Sequence, residues 1–143
     1  MSQRHHSVSE IMRQEFVSLE AGDRVDFAEQ IMRLGRIRHL PVVAQGRLVG
    51  IVSNRDLLSA SLSKVLEFTR ERQKAFLGTV DVQEVMTRDV QTVPPETSLD
   101  EAARLMLRHK IGCLVVVGPE GTPLGLLTES DLLREAYLPG EDV

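Results

Sequence analysis

The chain has 143 residues, the length of about one ordinary domain, with 42% hydrophobic and 27% charged residues, the balance of a soluble globular protein. Its net charge of −4 argues against a nucleic-acid partner, which calls for a basic surface. No apolar run approaches the roughly 20 residues of a membrane span, and the N-terminus lacks a secretion-signal core, so a cytoplasmic protein without membrane contact is expected.

In chain order, Ser7-x-x-Glu10 has capping-box spacing and predicts a short helix. Phe16 to Leu19 reads as a short extended segment. Asp23 is a candidate N-cap for a helix whose apolar stripe is Val25, Ala28, Ile31 and Met32, spaced to share one face. Leu40 to Val43 and Leu48 to Val52 then form two β-rich runs around the turn Gln45-Gly46, the pattern of a hairpin. Leu57 to Leu77 predicts one long helix ending at Gly78, apolar at Leu58, Leu62, Val65 and Leu66 and charged from Arg70 to Lys74.

The order then begins again. Asp81-x-x-Glu84 repeats the capping-box spacing, and Val90 to Val93 repeats the extended segment, stopped by Pro94-Pro95. Thr97 is the next N-cap candidate, before the stripe Leu99, Ala102, Leu105 and Met106. Leu114 to Val117 and Leu124 to Leu127 flank a turn at Pro119-Glu120-Gly121. In both hairpins the runs alternate little, which predicts a sheet covered on both faces.

The two halves are copies. Both open V-x-E-[I/V]-M, at Val8 to Met12 and at Val82 to Met86. Asp26, Met32 and Ile37 face Asp100, Met106 and Ile111; Gly50 faces Gly125; and Asp56-Leu57-Leu58 faces Asp131-Leu132-Leu133. The division is a tail 1–6, a first copy 7–60, a helical linker 61–80, a second copy 81–138 and a tail 139–143. Each copy alone buries too little surface, so the pair is expected to pack about a pseudo-twofold axis, with small-molecule clefts between the copies.

The sharpest motif is Ser53-Asn54-Arg55-Asp56, matched by Thr128-Glu129-Ser130-Asp131, each directly after a predicted strand. A hydroxyl three residues before a carboxylate caps a helix start, and the carboxylate suits the positive end of the helix. The same geometry lets the carboxylate accept bonds from both hydroxyls of a ribose, with free helix amides near a phosphate. Both readings are compatible, the cap orienting the binding group.

G-R-I-R-H-L-P-V-V followed by G-R-L-V-G-I-V-S-N-R-D-L-L resembles a CBS domain, and I-G-C-L-V-V-V followed by P-L-G-L-L-T-E-S-D-L-L resembles a second. The resemblance covers nearly the whole chain as a tandem pair. It implies an α/β (α+β) fold of two βαββα repeats and a regulatory role sensing adenosine-containing ligands such as AMP, ADP, ATP or S-adenosylmethionine. It also implies that Asp56 and Asp131 hold ribose, with Ser53 and Thr128 near ribose or phosphate. Adenine would lie among Val17, Ser18, Leu40, Pro41 and Val42, or Thr92, Val93, Leu114 and Val115. Arg38, His39 and Arg55 are the candidate phosphate contacts, and an Arg fork suits a bidentate contact. The second copy departs there, with Gly112, Cys113 and Ser130 at the matching positions, so unequal clefts are expected.

Catalysis is not expected. Cys113, the only cysteine, lies in a predicted strand and reads as core. No metal-ligand spacing, phosphate loop or nucleophile set is visible, so neither a metal nor a catalytic cofactor is implied. The resemblance points to a homodimer, and the sequence carries no effector domain of its own, so the output would be a partner protein, or the chain is the regulatory part of something larger. Competing readings are a ligand-independent dimerisation scaffold, or a sensor of S-adenosylmethionine or a divalent cation.

Overall fold

The computed structural model describes residues 7–65 and 78–141, the side chains of 60–65 excepted. The expected linker helix from residue 66 onward, the side chains of Leu62 and Val65, and the tail 1–6 lie outside them. The chain divides into two compact units, Val17–Val90 and Met1–Phe16 with Gln91–Val143.

In the Val17–Val90 unit, β1 (Leu19–Glu20), α2 (Val25–Gly35), β2 (His39–Ala44), β3 (Arg47–Ser53) and α3 (Asn54–Val65) follow in order. β1 pairs parallel with β2, Leu19 opposite Val42, and β2 pairs antiparallel with β3, His39 opposite Ser53. Gln45 and Gly46 both have positive φ (53° and 78°), the conformation that closes a two-residue hairpin with the twist of its strands. Val25, Ala28 and Met32 bury the expected face of α2 against Leu19, Leu40, Val42 and Val52.

The other unit repeats this plan with β4 (Thr92–Val93), α4 (Leu99–His109), β5 (Cys113–Val117), β6 (Pro123–Thr128) and α5 (Glu129–Tyr137). Thr92 lies opposite Val115, and Cys113 opposite Thr128. Ala102 and Met106 pack with Val93, Leu114, Val116 and Leu127. Each sheet carries the same irregularity, at Val42/Val43 and at Val116/Val117.

The compact units do not coincide with the sequence copies, because each takes its lead-in segment from the other. α1 (Val8–Ile11), which opens the first copy, belongs with the second sheet. Arg13 exchanges backbone bonds of 2.8 and 3.0 Å with Leu126 of β6. The 3₁₀ turn Val82–Glu84, which opens the second copy, serves the first sheet, where Thr87 exchanges bonds of 2.8 and 3.0 Å with Ile51 of β3. Val8 and Val82 are fully buried in these positions.

Several expected caps move. Asp23 spends its carboxylate on the Glu20 amide at 2.8 Å, so Arg24 becomes the N-cap of α2, and the Val25 amide is satisfied by the Val80 carbonyl instead. Ser98 rather than Thr97 caps α4, accepting from the Glu101 amide at 3.1 Å. The Ser7 hydroxyl meets Ser9 and makes no cap bond. The Asp81–Glu84 capping box forms as its spacing predicts. The extended segments are shorter than expected: Val17 and Ser18 precede β1 rather than belonging to it.

Candidate functional site

β3 ends at Ser53 and α3 begins at the next residue, so the first turn of α3 must satisfy its own exposed amides. Ser53 and Asp56 do this reciprocally. The Asp56 amide donates to Ser53 Oγ at 3.0 Å, and the Ser53 amide donates to Asp56 Oδ2 at 2.8 Å. The capping reading of the motif is therefore correct, and it fixes the carboxylate in place. Asp56 is half-buried, and its remaining described partner is the Thr87 hydroxyl, at 3.2 and 3.3 Å from the two oxygens.

The register gathers other expected residues at the same end of this sheet. His39 stands opposite Ser53 at the start of β2, and Pro41 follows two residues on. Val17 and Ser18 are exposed just ahead of β1. Leu40 and Val42 have no exposed surface and pack in the core, which leaves only their main chain to any ligand. Arg38 and Arg55 are exposed. The Arg38 carbonyl accepts the Asn54 amide at 2.9 Å, and its side chain lines a groove of about 600 Å³ with Arg33, Arg36, Ile37 and Leu57. Three arginines, Arg33, Arg36 and Arg38, thus line that groove, and Arg33 pairs with Glu29, also on its wall, at 2.7 Å.

The equivalent place in the other unit uses the same motif differently. Asp131 is 5% exposed. Its Oδ2 accepts from the Thr128 amide and from the Thr128 hydroxyl, both at 2.9 Å. Its Oδ1 accepts from Arg13 Nε at 3.4 Å and from Arg134 Nη1 at 3.3 Å. A cavity of about 640 Å³ opens beside this cluster, walled by Met12, Arg13, Gln14, Glu15 and Arg134. Thr92 is exposed, whereas Val93, Leu114 and Val115 are buried, again offering main chain rather than side chain.

Cys113, opposite Thr128, is buried, and burial together with the nearby Asp131 charge pushes its thiol up to about 12. The folded state thus holds a proton that an unfolded thiol releases near 9.0. Its contribution to stability is complete below that pH and is lost as the pH rises toward the folded value. Urea unfolding of the wild type is expected to weaken between pH 9 and pH 11 by more than that of Cys113→Ala; equal slopes would remove the thiol from the alkaline transition.

Sequence reasoning missed Arg13 and Thr87. Both directly follow the repeated V-x-E-[I/V]-M string, so their equivalence was visible, but not the exchange that carries each onto a carboxylate. Among the described residues no three His, Cys, Asp or Glu gather to hold a metal ion, and no helix is long and apolar enough to cross a membrane.

Residues 8–63 and 82–137 match the profile of the CBS domain. The chain is 34% identical over 122 residues to an inosine-5'-monophosphate dehydrogenase of Korarchaeum cryptofilum, covering 85% of this chain and 22% of that one. It spans about a quarter or less of the length of the first curated relatives it matches. Among solved structures, CBSX2 in complex with AMP matches with a TM-score of 0.77 at 28% identity, over 92% of this chain and 96% of that one. The CBS domain pair of MJ0100, in complex with 5'-methylthioadenosine and S-adenosyl-L-methionine, matches with a TM-score of 0.75 at 26% identity, over 90% and 93%.

Proposed function

The chain belongs to the CBS-domain family, and from that premise we propose that it is a regulatory, non-catalytic module that binds an adenosine-containing ligand and passes the signal to a partner protein. The observation that carries this reading is Asp56. Its carboxylate is oriented by the Ser53 cap, is only half-buried, and its side-chain partner Thr87 is a hydroxyl that a ribose hydroxyl replaces like for like. Adenosine is the part common to AMP, 5'-methylthioadenosine and S-adenosylmethionine, the ligands of the two structural relatives. The exposed cations Arg38 and Arg55 near the start of α3 favour AMP, ADP or ATP over an uncharged adenosine compound. Ligand would act by binding one arrangement of the protein more tightly than another.

A second reading, a ligand-independent association module, rests on exposed apolar side chains of the helices. Phe27 (47% exposed), Leu34 (86%) and Leu58 (57%) lie on α2 and α3, and Leu107 (79%), Leu133 (59%) and Tyr137 (77%) on α4 and α5. A homodimer through such faces fits either reading.

Thermal unfolding with AMP, ADP, ATP and S-adenosylmethionine separates the two. A ligand at about 100 times its dissociation constant adds roughly 2.7 kcal/mol, a rise of several degrees. The rise is expected with at least one adenine nucleotide and is expected to shrink strongly in Asp56→Ala. A protein that dimerises yet ignores all four ligands would be an association module.

A further inference from the structure

The two copies place different side chains at one structural position. Thr87 and Arg13 each follow the lead-in methionine, each pairs by backbone with the third strand of its unit, and each reaches the motif carboxylate. Thr87 brings a neutral hydroxyl to Asp56, whereas Arg13 brings a guanidinium to Asp131. We propose that Arg13 is a selectivity latch: it closes the Asp131 site to uncharged nucleosides and opens it to phosphorylated ones. The proposal rests on the adenosine-ligand reading and deepens it by assigning different ligand requirements to the two sites.

Nucleosides and nucleotides differ in what they return to the site. Asp131 Oδ2 is filled by the Thr128 amide and hydroxyl, so a sugar must compete for Oδ1, where Arg13 and Arg134 sit. A neutral nucleoside that displaces Arg13 exchanges a charge-assisted bond for a weaker one and leaves the guanidinium unpaired. A nucleotide supplies a phosphate to which Arg13 can turn, so the charge pairing is kept. Arg13 is suited to move. Its side chain is 58% exposed and holds the carboxylate through a single Nε contact at 3.4 Å rather than a fork. The cavity of about 640 Å³ beside it has Arg13 and Arg134 on its wall together with the carboxylates Glu15 and Asp131, so it offers space for a phosphate, and Arg13 released from Asp131 supplies the charge that pairs with it. Arg134, on the same helix as Asp131 three residues on, stays with the carboxylate.

Calorimetric titration of the whole chain with AMP and with adenosine tests this. ¹³C-methyl signals of Met12, on the wall of the Asp131 cavity, and of Met86, next to Thr87, report which site fills. In the wild type, AMP is expected to move both methyls, and adenosine to bind at the Met12 site about tenfold or more weaker than AMP. Arg13→Thr, which puts there the residue that stands at Thr87 in the other unit, is expected to lower that ratio several-fold. Thr87→Arg is expected to strengthen the phosphate dependence that Arg38 and Arg55 already give the Met86 site. An AMP-to-adenosine ratio at Met12 that is unchanged in Arg13→Thr, with AMP still binding, overturns the latch and leaves the ligand reading intact. A wild type that binds neither compound overturns both.

Discussion

Gly50→Val is expected to lower the unfolding free energy by about 3 kcal/mol, and the cause lies in the exchanged lead-in segment rather than in β3 itself. A Cβ at Gly50 meets the Met86 side chain, with Sδ in direct overlap and Cγ at 2.8 Å, and comes within 3.0 Å of the Thr87 carbonyl oxygen. A methionine end can swing aside, but a backbone carbonyl held by the Ile51 amide at 3.0 Å cannot do so without losing that bond. The branched valine forces the separation. Thr87 then moves away from Asp56. Gly125 stands in the same relation to Met12, at 2.8 Å from Cγ, and to the Arg13 carbonyl at 3.0 Å, and Gly125→Val is expected to behave alike. Chemical unfolding of Gly50→Ala, Met86→Ala and the double variant checks the cause. Because Met86 fills the space a Cβ needs, the double variant should be more stable than the sum of the single losses predicts. Strict additivity would leave the whole cost with the Thr87 carbonyl.

Asp131→Ala is expected to cost about 3 kcal/mol, roughly 1–2 kcal/mol more than Asp56→Ala, although the two residues occupy the same place in the same motif. The difference follows from burial and partners. Asp131 is 5% exposed and is bonded to the Thr128 amide and hydroxyl and to two guanidiniums, whereas Asp56 is half-buried and meets one amide and one hydroxyl besides its own cap. Removal takes away the carboxylate half of the α5 capping box and leaves the Thr128 amide without that acceptor, while the Thr128 hydroxyl still accepts the amide of residue 131. Asp131→Asn retains an acceptor for the cap and loses the charge, so it should fall between wild type and alanine. Denaturant midpoints of the three variants measure the order, and equal losses for Asp56→Ala and Asp131→Ala would contradict the role given to the arginine pair. One consequence is practical: loss of ligand response in Asp131→Ala is confounded with loss of stability, so Arg13→Thr is the sharper probe of that site.

These two cases mark the boundary between what the chain states and what only its folding decides. The duplicated plan and the α2 and α4 faces follow from the order of residues alone, because apolar residues at helical spacing bury one way. So do the hairpins, since Gln45-Gly46 and the Gly121 loop supply the left-handed residues that those turns need. So do the caps at Ser53 and Thr128, where partner and amide lie three residues apart and no distant contact is required. Tertiary structure alone decided that the lead-in of each copy completes the other copy's sheet. That pairing depends on backbone amides, which every residue carries, so no side-chain pattern announces it. Gly50 and Gly125 were legible as repeated positions, but their reason, the passage of Met86 and Met12 over them, was not. The inequality of the two carboxylates belongs to the same class. Identical motifs end in different electrostatic surroundings because Arg13 and Thr87 reach them from far along the chain, and distance in sequence hides a neighbour in space.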